Sequence, residues 1–229
     1  MAMLILIDTA TAAGSVCFSE NGKVLASFSH SAAEDHAAYI ADYVHQGLNQ
    51  LRLTGAEIHA VAVSAGPGSY TGLRVGLSTA KGLCYAWNCP LILLPTLDIM
   101  AEGYRQLHPA LPEKGFLLPV LNSRKDEVYA AWYKTDGTVV EEARPVQLRE
   151  EDFSGWQNHL PVWIFGEGAP RLVQLLPPTL ADKIRLDTSY QLHAAHMAQL
   201  ADQAFHSGQF ADLAYAEPFY LKPTYVGKA

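Results

Sequence analysis

Basic charge is scarce in this chain: sixteen Lys and Arg stand against twenty-three Asp and Glu, a net charge of −7. A protein that grips nucleic acid by itself normally carries a basic face, because phosphate neutralisation dominates the affinity. The balance therefore argues against direct tRNA or DNA binding, and the adjacent Arg124 and Lys125 read as a solvated turn. Cysteine is scarce too. Cys17, Cys84 and Cys89 are odd in number and set among apolar residues, which fits reduced thiols in a cytoplasmic protein better than a disulfide framework. Long apolar runs are missing, with nothing near the ~20 residues that span a bilayer, so no membrane association is expected. The opening MAMLILIDTATAAGS has no basic stretch ahead of its apolar run, and that run carries Asp8; it reads as a first strand, not a signal peptide.

Several catalytic signatures are also absent. His36 is followed four residues later by Ile40, so a predicted helix there holds no H-x-x-x-H pair. His193 and His196 share a helix face but have no carboxylate or cysteine close by in sequence, His30 has no third ligand in view, and Cys84 and Cys89 lack a zinc context. No metal is expected. Ser69 lies in PGSYT, which is not the G-x-S-x-G elbow of a hydrolase, so a peptidase reading has little support.

What is present is an ordinary globular composition, 49% apolar and 17% charged, with hydrophobic patterning that repeats. MLILIDT is almost continuously apolar, as a strand buried on both faces should be. GSVCFSE and KVLASFSH alternate around Asn21-Gly22, a hairpin signal. A helix of about five turns follows over residues 33–51. Then come a buried strand IHAVAVSA, a glycine loop, a helix TGLRVGLSTAKGLCYAW, a strand PLILLP, and a helix TLDIMAEGYRQL that Thr96 is placed to cap. After HPALPEKG the order begins again: FLLPVLNS, DEVYAAWYK, a turn at Asp136-Gly137, TVVEEARPVQL, VWIFGEG, KIRLDT, and a helix QLHAAHMAQLADQAFHS. Asp8 precedes Gly22 by fourteen positions, and Asn122 precedes Gly137 by fifteen. Two copies of a β-β-β-α-β-α unit, the second eroded, predict an α/β fold with mixed sheets flanked by helices.

The glycine segment, SAGPGSYTGLRVGLSTAKGL, is the most distinctive stretch. Gly66, Gly68 and Gly72 lie close to phosphate-loop spacing, and Thr71 stands where an N-cap would leave helix amides open to an anion. No Gly-Lys-Ser/Thr follows, and Gly72, Gly76 and Ala80 form a small-residue stripe at i, i+4, i+8. The pattern favours close helix packing, with nucleotide binding left open. Asp8, at the end of the first strand, reads either as a metal-bridging carboxylate assisted by the Thr9 and Thr11 hydroxyls or as a cap for its own turn.

Taken in order, ILIDTATAAGSVCFSENGKV, GPGSYTGLRVGLSTAKGL, NSRKDEVYAAWY and PFYLKP resemble the bacterial TsaB (YeaZ) family over nearly the whole chain. The resemblance implies an actin-like ATPase (ASKHA) fold of two RNase H-like lobes. One lobe takes residues 1–100 with a C-terminal segment 208–229, and a degenerate second lobe takes 101–207. It also implies a non-catalytic subunit for threonylcarbamoyl transfer to the adenosine beside the tRNA anticodon. Such a subunit dimerises with the paralogue TsaD, which carries H-x-x-x-H, and recruits the ATPase TsaE; tRNA is met only through the complex. No cofactor of its own is implied, and a nucleotide at the partner interface is left open. Alone, the chain is expected to form a homodimer. The family interface, built from the first two helices, maps here to Tyr39, Tyr43, Gly72, Val75, Gly76, Thr79, Ala80 and Leu83, with a vestigial phosphate loop at Asp8, Gly66, Gly68, Thr71 and Gly72. Asn122-Ser123-Arg124 departs from the family's usual Asp-Ala-Arg, which weakens any chemistry in the second lobe. The alternative is an active actin-like small-molecule kinase or ATPase using the Gly66–Gly72 loop.

Overall fold

The structure, a computed structural model, describes residues 2–30, 36–148, 158–176 and 182–221; the side chains of residues 36 and 37 lie outside that description. Two five-stranded sheets share one topology. The first runs β3(Lys23–His30)-β2(Gly14–Glu20)-β1(Met3–Asp8)-β4(Ala60–Gly66)-β5(Leu91–Pro95). The second runs β10(Ile184–Asp187)-β9(Val162–Phe165)-β6(Phe116–Asn122)-β7(Glu127–Lys134)-β8(Val139–Gln147). In each, a three-stranded antiparallel meander continues into two parallel strands: β1 pairs β2 antiparallel and β4 parallel, as β6 pairs β7 and β9. The duplication read from the sequence is thus a structural one. Asn21 and Gly22, with φ of 49° and 74°, make the tight first hairpin that this residue pair favours.

The continuous apolarity of β1 follows from its two covered faces. Ile5 and Ile7 face α1(His36–Leu51) and α2(Tyr70–Trp87), in a core with Val16, Phe18, Ile40, Val44 and Leu77. Leu4 and Leu6 face the other way, toward α3(Thr96–Leu107) and α5(Ala198–His206), in a core that also takes Leu117, Leu121, Phe165 and Tyr190 from the second half of the chain. Each such side chain, fully buried, contributes about 1.5–3 kcal/mol. One core therefore joins residues of both halves of the chain. The late helix, placed by sequence in the second lobe, packs instead on the first sheet against β1, β3 and β5. It begins as a tight 3-10 turn over Ala194–Met197 before the α-helix proper. The second copy is reduced where a counterpart of α2 is expected: among the described residues, the α-helix between β9 and β10 is the short α4(Ala169–Val173). The predicted start of α1 at residues 33–35 lies outside the described residues.

His196 sits at this inter-lobe seam, its ring within 2.4 Å of where a Cβ on Gly103 would stand. Its Nδ1 is 3.1 Å from the Tyr190 hydroxyl, which also donates to the Met100 carbonyl at 3.2 Å. Burial, with His193 adding to it, pushes His196 down to about 4 from 6.5. The unfolded chain therefore takes up this proton first. Stability carried by neutral His196 is complete above pH 6.5 and is lost progressively as pH falls toward 4. Urea unfolding of the parent and of His196→Gln should show their stability gap narrowing by about 2 kcal/mol between pH 7 and pH 5. A gap independent of pH would mean that the imidazole is not held neutral.

Candidate functional site

Two adjoining cavities, of about 450 Å³ and 390 Å³, lie where the strand ends of the two sheets meet. The turn Ala10–Ala12 and the loop Gly68–Tyr70 form one wall of the first. Asn122–Arg124, Tyr129 and Glu167 form the other. The second is more apolar and is closed by Met100, Leu121, Tyr190 and Leu192. This is the crevice beyond the strand ends of a doubly repeated α/β fold, where ligands normally bind.

Among the phosphate-loop candidates Gly68 lines the first cavity, while Asp8, Gly66 and Gly72 are held within the chain itself. Asp8 is fully buried, accepts the Ala10 amide on Oδ1 at 3.1 Å and lines neither cavity. The Ala10 carbonyl accepts the Ser69 amide at 2.7 Å, and the Thr9 hydroxyl donates to the Gly72 carbonyl at 2.7 Å. Gly68 is without a side chain because a Cβ there would stand 2.4 Å from the Ala10 carbonyl oxygen. Gly66 takes a φ of +115°, and a Cβ on it would lie 2.6 Å from the Phe219 carbonyl oxygen. The helix cap expected at Thr71 belongs to Ser69, whose Oγ accepts the Gly72 amide at 3.2 Å. A serine there starts α2 one residue earlier and uses up one of the helix-end amides that an anion would need. The cap expected at Thr96 is likewise corrected: Pro95 stands at that position, and the Thr96 hydroxyl accepts the Gly66 amide at 3.1 Å.

The small-residue stripe is turned inward. A Cβ on Gly72 would lie 2.1 Å from the Thr9 carbonyl oxygen, and one on Gly76 would lie 2.3 Å from Thr9 Oγ1. Ala80 is fully buried in the core beneath α2. Close packing is what these residues do, but their partner is the end of β1 in the same chain. Gly72, Gly76 and Ala80 therefore drop out of the expected interface set. The other members stay accessible: Tyr39, Tyr43, Val75, Thr79 and Leu83 are all half-buried. Tyr43 stacks on Phe28 at 5.8 Å, and Tyr39 and Tyr43 both lie beside the His30 ring, so the two tyrosines cover β3. The outer face of α2 offers Ser78, Gly82, Ala86 and Tyr85, the last 83% exposed.

On the opposite wall Asn122 acts as an amide. Its Nδ2 donates to the Glu167 carbonyl at 3.5 Å, and its Oδ1 accepts from Arg171 at 3.3 Å. An aspartate could make only the second contact. Arg171 also donates to the carbonyls of Arg124 and Lys125 and so fixes the turn. Among the described residues no three His, Cys, Asp or Glu side chains come together in a way that would hold a metal ion. The His36 side chain lies outside them. Ile40, the position four residues on, is fully buried against the first sheet.

The resemblance placed the C-terminal segment with the first lobe, but no pattern in the sequence showed which contacts it makes there. Ala211 bridges the edge of β5 at Leu91, Lys81 donates to the carbonyls of Ala214 and Ala216, and the Phe219 amide donates to the Ala65 carbonyl at 2.6 Å. Arg74 lies 4.0 Å above the Tyr70 ring and donates to the Tyr220 hydroxyl. Phe219 and Tyr220 of the PFYLKP motif thus dock on the glycine loop and the start of α2, and these aromatic residues are the one sequence signal for that docking. Among the described residues, no helix is long and apolar enough to cross a membrane.

Comparison with known proteins agrees with this geometry. A family model described as "TsaD: tRNA N6-adenosine threonylcarbamoyltransferase" matches residues 24–151. The tRNA threonylcarbamoyladenosine biosynthesis protein TsaB of Escherichia coli is 32% identical over 96% of this chain and 94% of its own length. The crystal structure of YeaZ from Pseudomonas aeruginosa superposes with a TM-score of 0.82 at 24% identity, over 96% of this chain and all of that one. The fold extends to the activator of 2-hydroxyisocaproyl-CoA dehydratase from Clostridium difficile, solved with bound ADPNP, at a TM-score of 0.54 and 11% identity over 90% of this chain and 97% of that one. The repeated meander-and-parallel sheets are those of the actin-like ATPases, and within that fold the chain belongs to the TsaB family of tRNA threonylcarbamoyladenosine biosynthesis proteins.

Proposed function

We propose that this chain is a non-catalytic subunit in tRNA threonylcarbamoyladenosine formation. In this reading it pairs through α1 and α2 with a TsaD-type paralogue that carries the H-x-x-x-H site, and a TsaE-type ATPase joins the pair. The transferase chemistry and the tRNA contacts belong to the assembly. The observation that carries this reading is the internal commitment of the polar groups in and behind the cleft. Asp8 caps its own turn, Thr9 holds the start of α2, and the amide of Asn122 braces a turn where the family usually has an acid. The net charge of −7 supports leaving tRNA to a partner.

Affinity purification of the chain from its own cells, with mass spectrometry of what is retained, tests the reading. Near-equal recovery of a paralogue carrying H-x-x-x-H is the expected result. The cleft keeps a second reading in play, because Tyr70, Arg124 and Glu167 line a volume able to hold a small ligand. Turnover of ATP by the pure chain with magnesium, and no such paralogue recovered, would replace the subunit reading with that of a small-molecule kinase or ATPase.

A further inference from the structure

The far end of α2 carries two of the three cysteines in one turn. Asn88, which ends the helix, is left-handed, with φ 52° and ψ 44°. The Cys89 amide then donates to the Cys84 carbonyl at 3.1 Å. A backbone bond of that span across a left-handed residue is the Schellman closure, which brings the side chains at its two ends into contact. Here both ends are thiols. Cys84 is buried, with its Sγ 3.4 Å from the Pro90 carbonyl, whereas Cys89 is only half-buried and reaches solvent. The neighbouring Cys89 thiol raises Cys84, with burial adding to it, and the neighbouring Cys84 thiol lowers Cys89 from its ordinary value. The accessible sulfur is therefore the one inclined to ionise, and a second sulfur stands behind it. Cys17 differs in each respect: it is fully buried, and burial pushes it up to about 11.

We propose that Cys84 and Cys89 are a redox-active dithiol, in which Cys89 attacks a low-molecular-weight disulfide and Cys84 resolves the product into an intrachain disulfide. In the first step the Cys89 thiolate takes one sulfur of glutathione disulfide and releases one glutathione thiolate. In the second step the Cys84 thiolate attacks the Cys89 sulfur and expels the second glutathione. Two protein thiols are oxidised by two electrons, one glutathione disulfide becomes two glutathiones, and the two thiol protons end on the released thiols. The close spacing favours resolution over accumulation of the mixed disulfide, and the proposal is independent of the partner assignment above.

The test uses the whole native chain, incubated at neutral pH with glutathione disulfide, quenched with iodoacetamide and digested with trypsin. Residues 82–105 form one tryptic peptide containing both cysteines. It is expected two hydrogens lighter than the dithiol form and unalkylated, reverting on reduction with dithiothreitol, while Cys17 stays reduced and marks the fold as intact. Cys84→Ser should halt at a glutathione adduct on Cys89, and Cys89→Ser should block both steps. A parent peptide that keeps glutathione on Cys89, or emerges alkylated at both positions, overturns the proposal. So does closure only after the chain is unfolded in urea.

Discussion

Gly72→Ala is expected to destabilise the isolated chain by about 2–3 kcal/mol and to lower its urea midpoint by roughly 1 M. The methyl group would enter 2.1 Å from a backbone oxygen, that of Thr9, which cannot swing aside as a side chain would. Relief would require moving the start of α2 away from the end of β1, against the Thr9 hydroxyl bond to the Gly72 carbonyl and the Ser69 cap. Gly82, on the same helix, is the control. A Cβ there meets nothing within 4 Å, so Gly82→Ala should stabilise by up to about 1 kcal/mol through helix propensity alone. If the stripe were an open docking surface, both glycines would behave like Gly82, and the two substitutions would raise the midpoint together. Equal midpoints for Gly72→Ala and the parent would return the stripe to the outside of the molecule. The same geometry makes a bulky residue at Gly76 unusable as a probe of partner binding. A leucine beside Thr9 Oγ1 and Val63 damages the fold before any partner is met.

The repeat and the strands were legible because they rest on local periodicity. The unbroken apolar run of β1, for example, reports a strand with two covered faces. The glycine segment was legible as a place of close approach, since small residues at helical spacing have few other uses. The partner of that approach was not legible. Thr9 and Gly72 are sixty-three positions apart, and the contact depends on the parallel register of β1 with β4, which no local pattern records. The same limit applies to α5. Its sequence shows an amphipathic helix after the second sheet, yet the surface it covers belongs to the first, a choice made by the topology of the whole chain. The caps failed for a smaller reason. Ser69 and Thr71 are both good N-caps, and the Ala10 carbonyl, by accepting the Ser69 amide, decides between them.

With the stripe withdrawn, the half-buried row Val75, Thr79 and Leu83 becomes the place on α2 to test for partner contact. Thr79→Arg is expected to weaken binding of the TsaD-type paralogue by at least about 100-fold, or roughly 2.7 kcal/mol, while leaving the unfolding midpoint of the lone chain within about 0.5 kcal/mol of the parent. Thr79 is half-buried on the helix surface, so an arginine there has room to reach water in the free chain but not under a partner helix. Buried in that interface without a counter-charge, the guanidinium would bear its desolvation cost uncompensated. Thr79→Ser, which keeps the volume small and the charge absent, should bind nearly as the parent does. The pairing is read by calorimetric titration with the paralogue, and the fold by urea unfolding of the isolated variant. Undiminished affinity in Thr79→Arg would move the contact off this face of α2, leaving the tyrosines over β3 and the exposed Tyr85 as the next surfaces to charge. Lost affinity with an unchanged midpoint assigns binding to the α2 surface and folding to the glycines beneath it, two roles that the sequence alone ran together in a single motif.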